Sequence, residues 1–128
     1  VNPKYKFAPI DIFQYLESKV NMALSEGIKI ENIAIDPGFG FGKSPKHNME
    51  IISWLPLYQS LGVPVVLGAS RKSTISMLSK NEPPNKRLGG SIAIANFSQI
   101  LGLQILRVHD VAETYQALEI SKRILSEF

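Results

Sequence analysis

The chain alternates between apolar runs of two periods, and the period changes at regular intervals. Residues 11–26 place Ile12, Phe13, Leu16, Val20, Met22, Ala23 and Leu24 at helical spacing, with Gly27 as the stop. Ile33-Ala34-Ile35 is a short continuous apolar run ending in Asp36-Pro37-Gly38, the pattern of a buried strand that enters a loop. Helical spacing returns over residues 48–61, where Pro56 should kink or shorten the helix and Gly62 closes it. A second buried strand follows over 63–67, then a turn at Gly68-Ala69-Ser70-Arg71-Lys72 and a short helix near 74–79. Residues 80–87, with Pro83-Pro84, form a polar loop. The segment 91–101 is helical and apolar almost throughout, which predicts burial on several sides. Gly102 ends it, 105–108 make a third strand, and 111–128 a last helix.

Strands buried on both faces and separated by helices pair in parallel through crossover helices, so the fold class is α/β. Three such strands fit either a small open sheet or three consecutive staves of an eight-stranded barrel. In both cases the chemistry belongs at the C-terminal ends of the strands, and the unusual residues of this sequence stand there.

At the first strand end, Asp36-Pro37-Gly38-Phe39-Gly40-Phe41-Gly42-Lys43-Ser44 comes close to a phosphate-binding loop. It has one residue too few between Gly38 and Gly42, and it also departs from the dinucleotide fingerprint. It offers backbone that a ligand can approach closely, two aromatic rings and one carboxylate. Asp36 can accept two N–H bonds from a flat guanidine-like edge, or cap its own loop. At the second end, Arg71 and Lys72 lie beside Ser70 and Ser73 at a helix start, where cations are uncommon; they read as ligand-binding groups or as a surface ion pair. At the third, alternation in Arg107-Val108-His109 sends Arg107 and His109 to one side and Val108 to the other, a donor pair suited to phosphate oxygens. Asp110 is expected to cap the last helix. His47 lies in a polar loop as a surface or capping residue.

Composition narrows the classes further. The chain has 128 residues, 45% of them hydrophobic, which is material for one globular unit spanning 1–128. The net charge of +3 comes from scattered Lys and Arg, which suits a small anionic ligand and lacks the clustering of a nucleic-acid interface. Without cysteine there is no disulfide, thiolate zinc site or cysteine nucleophile, and two histidines leave little for a metal cage. No apolar run reaches the roughly 20 residues of a membrane span, and Val1-Asn2-Pro3-Lys4 lacks a signal peptide's apolar stretch. The expectation is a cytoplasmic protein without a nucleic-acid or membrane partner, and the Val start suggests a processed or truncated product.

Taken together, Asp36 to Lys43, Ser70-Arg71-Lys72-Ser73 and Arg107-Val108-His109-Asp110-Val111 resemble the last three strand-end motifs of the dihydropteroate synthase family, over a stretch from about Asp11 to the end. The resemblance implies the C-terminal part of a TIM (β/α)8 barrel, strands six to eight with flanking helices. It also implies a transferase of folate biosynthesis that joins 7,8-dihydropterin-6-ylmethyl diphosphate to p-aminobenzoate and releases pyrophosphate. By motif, Asp36 would grip the pterin edge and Lys72 the pterin ring. Arg107 would floor the pterin and, with His109, hold the pyrophosphate. Phe41, Arg71, Lys72 and Ser73 would border the p-aminobenzoate pocket where sulfonamides compete, with Gly68 and Val108 also among the substrate-binding positions. Magnesium would share the charge, its main protein ligand lying in an N-terminal part whose motifs are missing here. The chain is therefore expected to be a fragment of a longer enzyme, and a homodimer through its late helices. A methyltetrahydrofolate-binding domain of a corrinoid methyltransferase, or a non-catalytic assembly module, are the alternatives.

Overall fold

The computed structural model describes residues 7–41 and 43–128. The first helix, α1 (Ala8–Ser25), starts three residues before the predicted 11, because Pro9 sits in the first turn where a missing N–H costs nothing. Its buried face is Ala8, Ile12, Leu16 and Val20, one residue per turn. Gly27, at φ 90°, ends it: the Gly27 and Ile28 amides bond back to Leu24 and Ala23.

The helix expected over 48–61 is two helices, α2 (Pro45–Ser53) and α3 (Leu55–Gln59). Pro56 can neither donate to the ladder nor accommodate the carbonyl four residues back, so the chain breaks at Trp54. Ser44 caps α2 by accepting the His47 amide at 3.2 Å. His47 thus lies inside a helical turn, which corrects its placement in a loop. Ile51, Ile52 and Leu55 from this pair pack against α1 and enter the core, joined by Tyr58.

The three predicted strands are present as a parallel array much shorter than expected. Ile35 makes a single bridge with Val65. Next come β1 (Val66–Leu67) and β2 (Ile105–Leu106), paired Val66 with Ile105 and Leu67 with Leu106. Ile33 instead closes a short 3-10 turn, Ile30–Asn32, and the ladder ends before Val108. The array runs Ile35, β1, β2 in chain order, which brings Asp36, Gly68 and Arg107 to the same end. Between β1 and β2 stand α4 (Ser73–Met77), a 3-10 turn at Pro84–Lys86 within the predicted polar loop, and α5 (Leu88–Ile100); α6 (Val111–Leu125) follows.

Helix α5 corrects the expectation of burial on several sides. Only Ala95 and Ser98 are buried, while Phe97 is 63% and Ile100 55% exposed. It packs on α6 and α2 and leaves its outer apolar face open, as α6 does with Ile120 and Ile124.

Candidate functional site

Asp36 leaves its bridge with its side chain turned into the following loop, where Oδ1 accepts the Gly38 amide at 2.8 Å and the carboxylate stays exposed. The loop-capping reading of Asp36 is therefore realised in one of its oxygens. Gly38 and Gly40 take φ 77° and 85°, values that L side chains rarely adopt, and they fold residues 38–41 into a tight turn. Lys43 fastens that turn, its Nζ donating to the Gly38 carbonyl at 2.9 Å and the Phe41 carbonyl at 3.1 Å. Its ammonium therefore serves the loop backbone. Burial lowers its pKa, Asp36 raises it, and Lys72 lowers it further.

Lys72 crosses from the second strand end to this turn. Its Nζ donates to the Phe39 carbonyl at 2.6 Å and stands 4.3 Å from the centre of the exposed Phe41 ring, an attractive position for a cation. Its pKa is lowered, first by burial and then by Arg107, against an upward pull from Asp36. The guanidinium of Arg107 lies over Gly68, so closely that a Cβ at position 68 would come within 2.5 Å of Nη2. Ser70 orients His109: its Oγ accepts the His109 amide at 3.2 Å and lies 3.0 Å from Nδ1. Ser70 thus engages both the backbone and the ring of His109 and fixes the ring's position at the strand end.

Gly68, Ser70, Lys72, Arg107, Val108 and His109 line one cavity of about 290 Å³. Beside it lies a second, of about 380 Å³, lined by Asp36, Pro37, Gly38 and Lys43 together with Asp11, Ile12, Tyr15 and Leu16 of α1. Five of the sequence-chosen residues, Gly68, Lys72, Arg107, Val108 and His109, thus meet in the first, Phe41 touches it through Lys72, and Asp36 opens on its neighbour. Val108 shares the cavity with Arg107 and His109 because the regular ladder has ended and strand alternation no longer applies.

Arg71 and Asp110 pair with each other, which realises the ion-pair reading of Arg71 and departs from the cap expected of Asp110. Arg71, at φ 57°, points away to the carboxylate of Asp110. Asp110 holds the N-cap position of α6, yet its side chain makes no cap bond; the expected cap is replaced by this pair. The backbone of Arg71 is fixed as well, its amide donating to Ser91 Oγ at 2.9 Å and its carbonyl accepting from Arg87 Nη1 at 2.7 Å. Ser73 is exposed at the start of α4, its carbonyl accepting from Ser76 Oγ.

Sequence reasoning missed Asn48. It is fully buried, its Oδ1 accepts the Gly40 amide and its Nδ2 donates to Thr74 Oγ1, both at 2.8 Å. A usable signal existed: positions 48, 51, 52 and 55 share one face, and Asn48 is the polar member of an otherwise apolar stripe. Ser70 was also passed over, although it lies within a quoted motif.

Comparison with known proteins bears on this geometry. The model of a family described as pterin binding enzyme matches residues 3–109. The dihydropteroate synthase of Haemophilus influenzae is 42% identical over 119 residues, which cover 93% of this chain and 43% of that protein. Among solved structures, Xanthomonas albilineans dihydropteroate synthase with 4-aminobenzoic acid superposes with a TM-score of 0.94 at 38% identity, covering 97% of this chain and 45% of the other. The same enzyme in complex with 7,8-dihydropteroate also gives 0.94 at 38% identity, covering 98% and 48%. The chain spans less than half the length of these relatives.

Proposed function

This chain belongs to the pterin-binding enzyme family and has part of its TIM-barrel fold, and from that premise we propose that it supplies strands six to eight of a dihydropteroate synthase. In the proposed reaction the amine of p-aminobenzoate attacks the methylene of 7,8-dihydropterin-6-ylmethyl diphosphate. A C–N bond forms as the C–O bond breaks, diphosphate leaves with the electron pair, and the amine gives up a proton.

The observation that carries the proposal is the gathering of Lys72, Arg107 and His109 in one cavity at the strand ends. Charge develops on the departing diphosphate, and fixed donors aimed at it lower the barrier because they need no reorganisation. Arg107 offers a planar fork of donors and His109 a ring N–H. Lys72, tethered to Phe39, lies where a pterin ring atom could accept from it, and the guanidinium of Arg107 provides a flat floor. The exposed carboxylate of Asp36 can take the two N–H groups of the pterin's amino-pyrimidinone edge. Phe41, Ser73 and Arg71 would border p-aminobenzoate, Arg71 through its backbone and stem while Asp110 keeps its guanidinium.

Magnesium would share the charge of the diphosphate, with its main protein ligand supplied by the part of the barrel outside this chain. Among the described residues no three His, Cys, Asp or Glu side chains gather to hold a metal. The neutralising groups in this chain are Arg107, His109 and Lys72. We further infer a cytoplasmic enzyme that pairs with a second copy through Phe97 and Ile100 of α5 and Ile120 and Ile124 of α6, an exposed apolar face.

The test is a calorimetric titration of this chain with the pterin diphosphate. Saturable binding is expected, weakened by about tenfold or more in Asp36→Asn and in Lys72→Ala, since a hydrogen bond to a charged group is worth ~1.5–3 kcal/mol. A folded chain with affinity unchanged in both variants would overturn the assignment. A folded chain that binds nothing, even when the first half of a relative's barrel is added, would overturn the function.

A further inference from the structure

We propose that Asn48 is a positioning residue that joins the Phe39–Phe41 turn and the first turn of α4 into one unit, so that Phe41 and Lys72 stay opposed across the site. As a statement about the site it rests on the function proposed above, while its structural half stands on the geometry alone.

The links form a closed circuit. Asn48 projects from α2 and accepts the Gly40 amide, and on its other side it donates to Thr74 Oγ1, two residues beyond Lys72. Lys72 reaches back to the Phe39 carbonyl and lies over the Phe41 ring, which closes the loop onto Gly40. The orientation of the amide is not free. The Gly40 N–H can only donate, so Oδ1 must face it and Nδ2 must face Thr74. Asn48 is fully buried and Thr74 nearly so, and a buried amide is stabilising only with its partners in place. An apolar side chain would continue the stripe of Ile51, Ile52 and Leu55 at less desolvation cost. What an apolar residue lacks is the ability to fix two backbones relative to each other. Without the amide, the turn would keep the local bonds of Asp36 and Lys43, which carry no information about where α4 lies, and its tie to the start of that helix would be left to the long, flexible stem of Lys72.

The experiment compares the unaltered chain with Asn48→Leu and Thr74→Val, reading amide hydrogen exchange at Gly40 and titrating each chain with pterin diphosphate. The Val66 amide, which donates to Ile35 in the core, is the internal reference for global folding. Thr74→Val is the decisive variant, since it keeps the shape of the side chain and does not touch the 36–41 loop. Exchange at Gly40 is expected to accelerate at least about tenfold in both variants with Val66 unchanged, and affinity to fall about tenfold. Gly40 exchange unaltered in Thr74→Val would overturn the proposal, as would a loosened Gly40 with undiminished pterin affinity. If the unaltered chain binds no pterin diphosphate even with the first half of a relative's barrel added, the function falls and the exchange result alone decides whether Asn48 couples the two loops.

Discussion

The guanidinium of Arg71 closes on the carboxylate of Asp110 with two prongs, Nη2 to Oδ1 at 2.7 Å and Nε to Oδ2 at 3.1 Å, and so ties the loop after β1 to the start of α6. Each partner shifts the other: the hydrogen bond from Arg71 holds Asp110 below the usual carboxylate range, and Asp110 raises Arg71. Because the folded pKa of Asp110 lies below its unfolded value of about 4, the stability it contributes is present above that pH and fades as pH falls through the lowered value. Asp110→Asn is therefore expected to melt below the unaltered chain at pH 7, with the gap closing on acidification. Glu82, also lowered, is untouched by the substitution and drops out of the difference. Thermal melts of both chains from pH 2 to 8 check this, and a gap that ignores pH would rule out the ionic account.

Gly68 owes its identity to Arg107. A Cβ there would meet Nη2 at 2.5 Å and Nε at 2.9 Å, the mobile end of a side chain, and the backbone at 68 is not in the left-handed region. Gly68→Ala should therefore leave stability within about 1 kcal/mol and push the guanidinium off the cavity. Affinity for diphosphate should fall about tenfold, and adding Arg107→Ala should cost little more, since the same contact is already lost. Melting and titration of the two single variants and the double variant decide it; additive losses would mean that Gly68 acts otherwise than through Arg107.

The parts of this molecule that were legible in the sequence are those governed by local pattern. The stripe of α1, the break at Pro56 and the three strand ends follow from spacing within a few residues. What escaped depends on partners brought together by the fold. Asp110 sits where a cap belongs, and nothing within its own turn says that Arg71, 39 residues away, will claim its carboxylate. Asn48 has one partner 8 residues back and another 26 ahead. The strands were overestimated because apolar runs such as Ile33-Ala34-Ile35 mark burial, whereas ladder length is set by neighbours. The apolar character of α5 likewise shows a demand for cover without saying what provides it, and in this chain Phe97 and Ile100 remain open.

Lys72 offers a test of sign. Its ammonium is held below the ordinary lysine value by burial and then by Arg107, while Asp36 pulls it upward; the Phe39 carbonyl and the Phe41 ring also face it. With the folded pKa below the unfolded value of about 10.4, this group's contribution to stability grows as pH rises through the folded value and is lost as pH falls back through it. Arg107→Met should raise the Lys72 pKa, and Asp36→Asn should lower it further. Carbon-detected NMR titration of the Lys72 side chain measures both. Shifts of one sign in the two variants would show that the charges are not acting on Lys72 as assigned. Bound diphosphate, an anion beside the ammonium, should raise the pKa and produce proton uptake on binding at alkaline pH.

Two glycines separate backbone cost from site cost. Gly27 and Gly40 have nearly the same conformation, φ 90° and 85°, but a Cβ on Gly27 meets nothing within 4 Å whereas one on Gly40 meets Lys72 Cδ at 2.7 Å. Alanine at either position should cost ~1–2 kcal/mol for placing an L-residue in the left-handed region. Alanine at 40 must in addition displace the stem of Lys72 and with it the ammonium from Phe39 and Phe41. A stability loss at least as large in Gly40→Ala as in Gly27→Ala, with impaired pterin diphosphate binding only in Gly40→Ala, is expected from paired denaturation curves and titrations. If Gly40→Ala bound as tightly as Gly27→Ala, the position of Lys72 over the turn would not be the one that the site requires, and the tether to Phe39 would be a feature of the free loop alone.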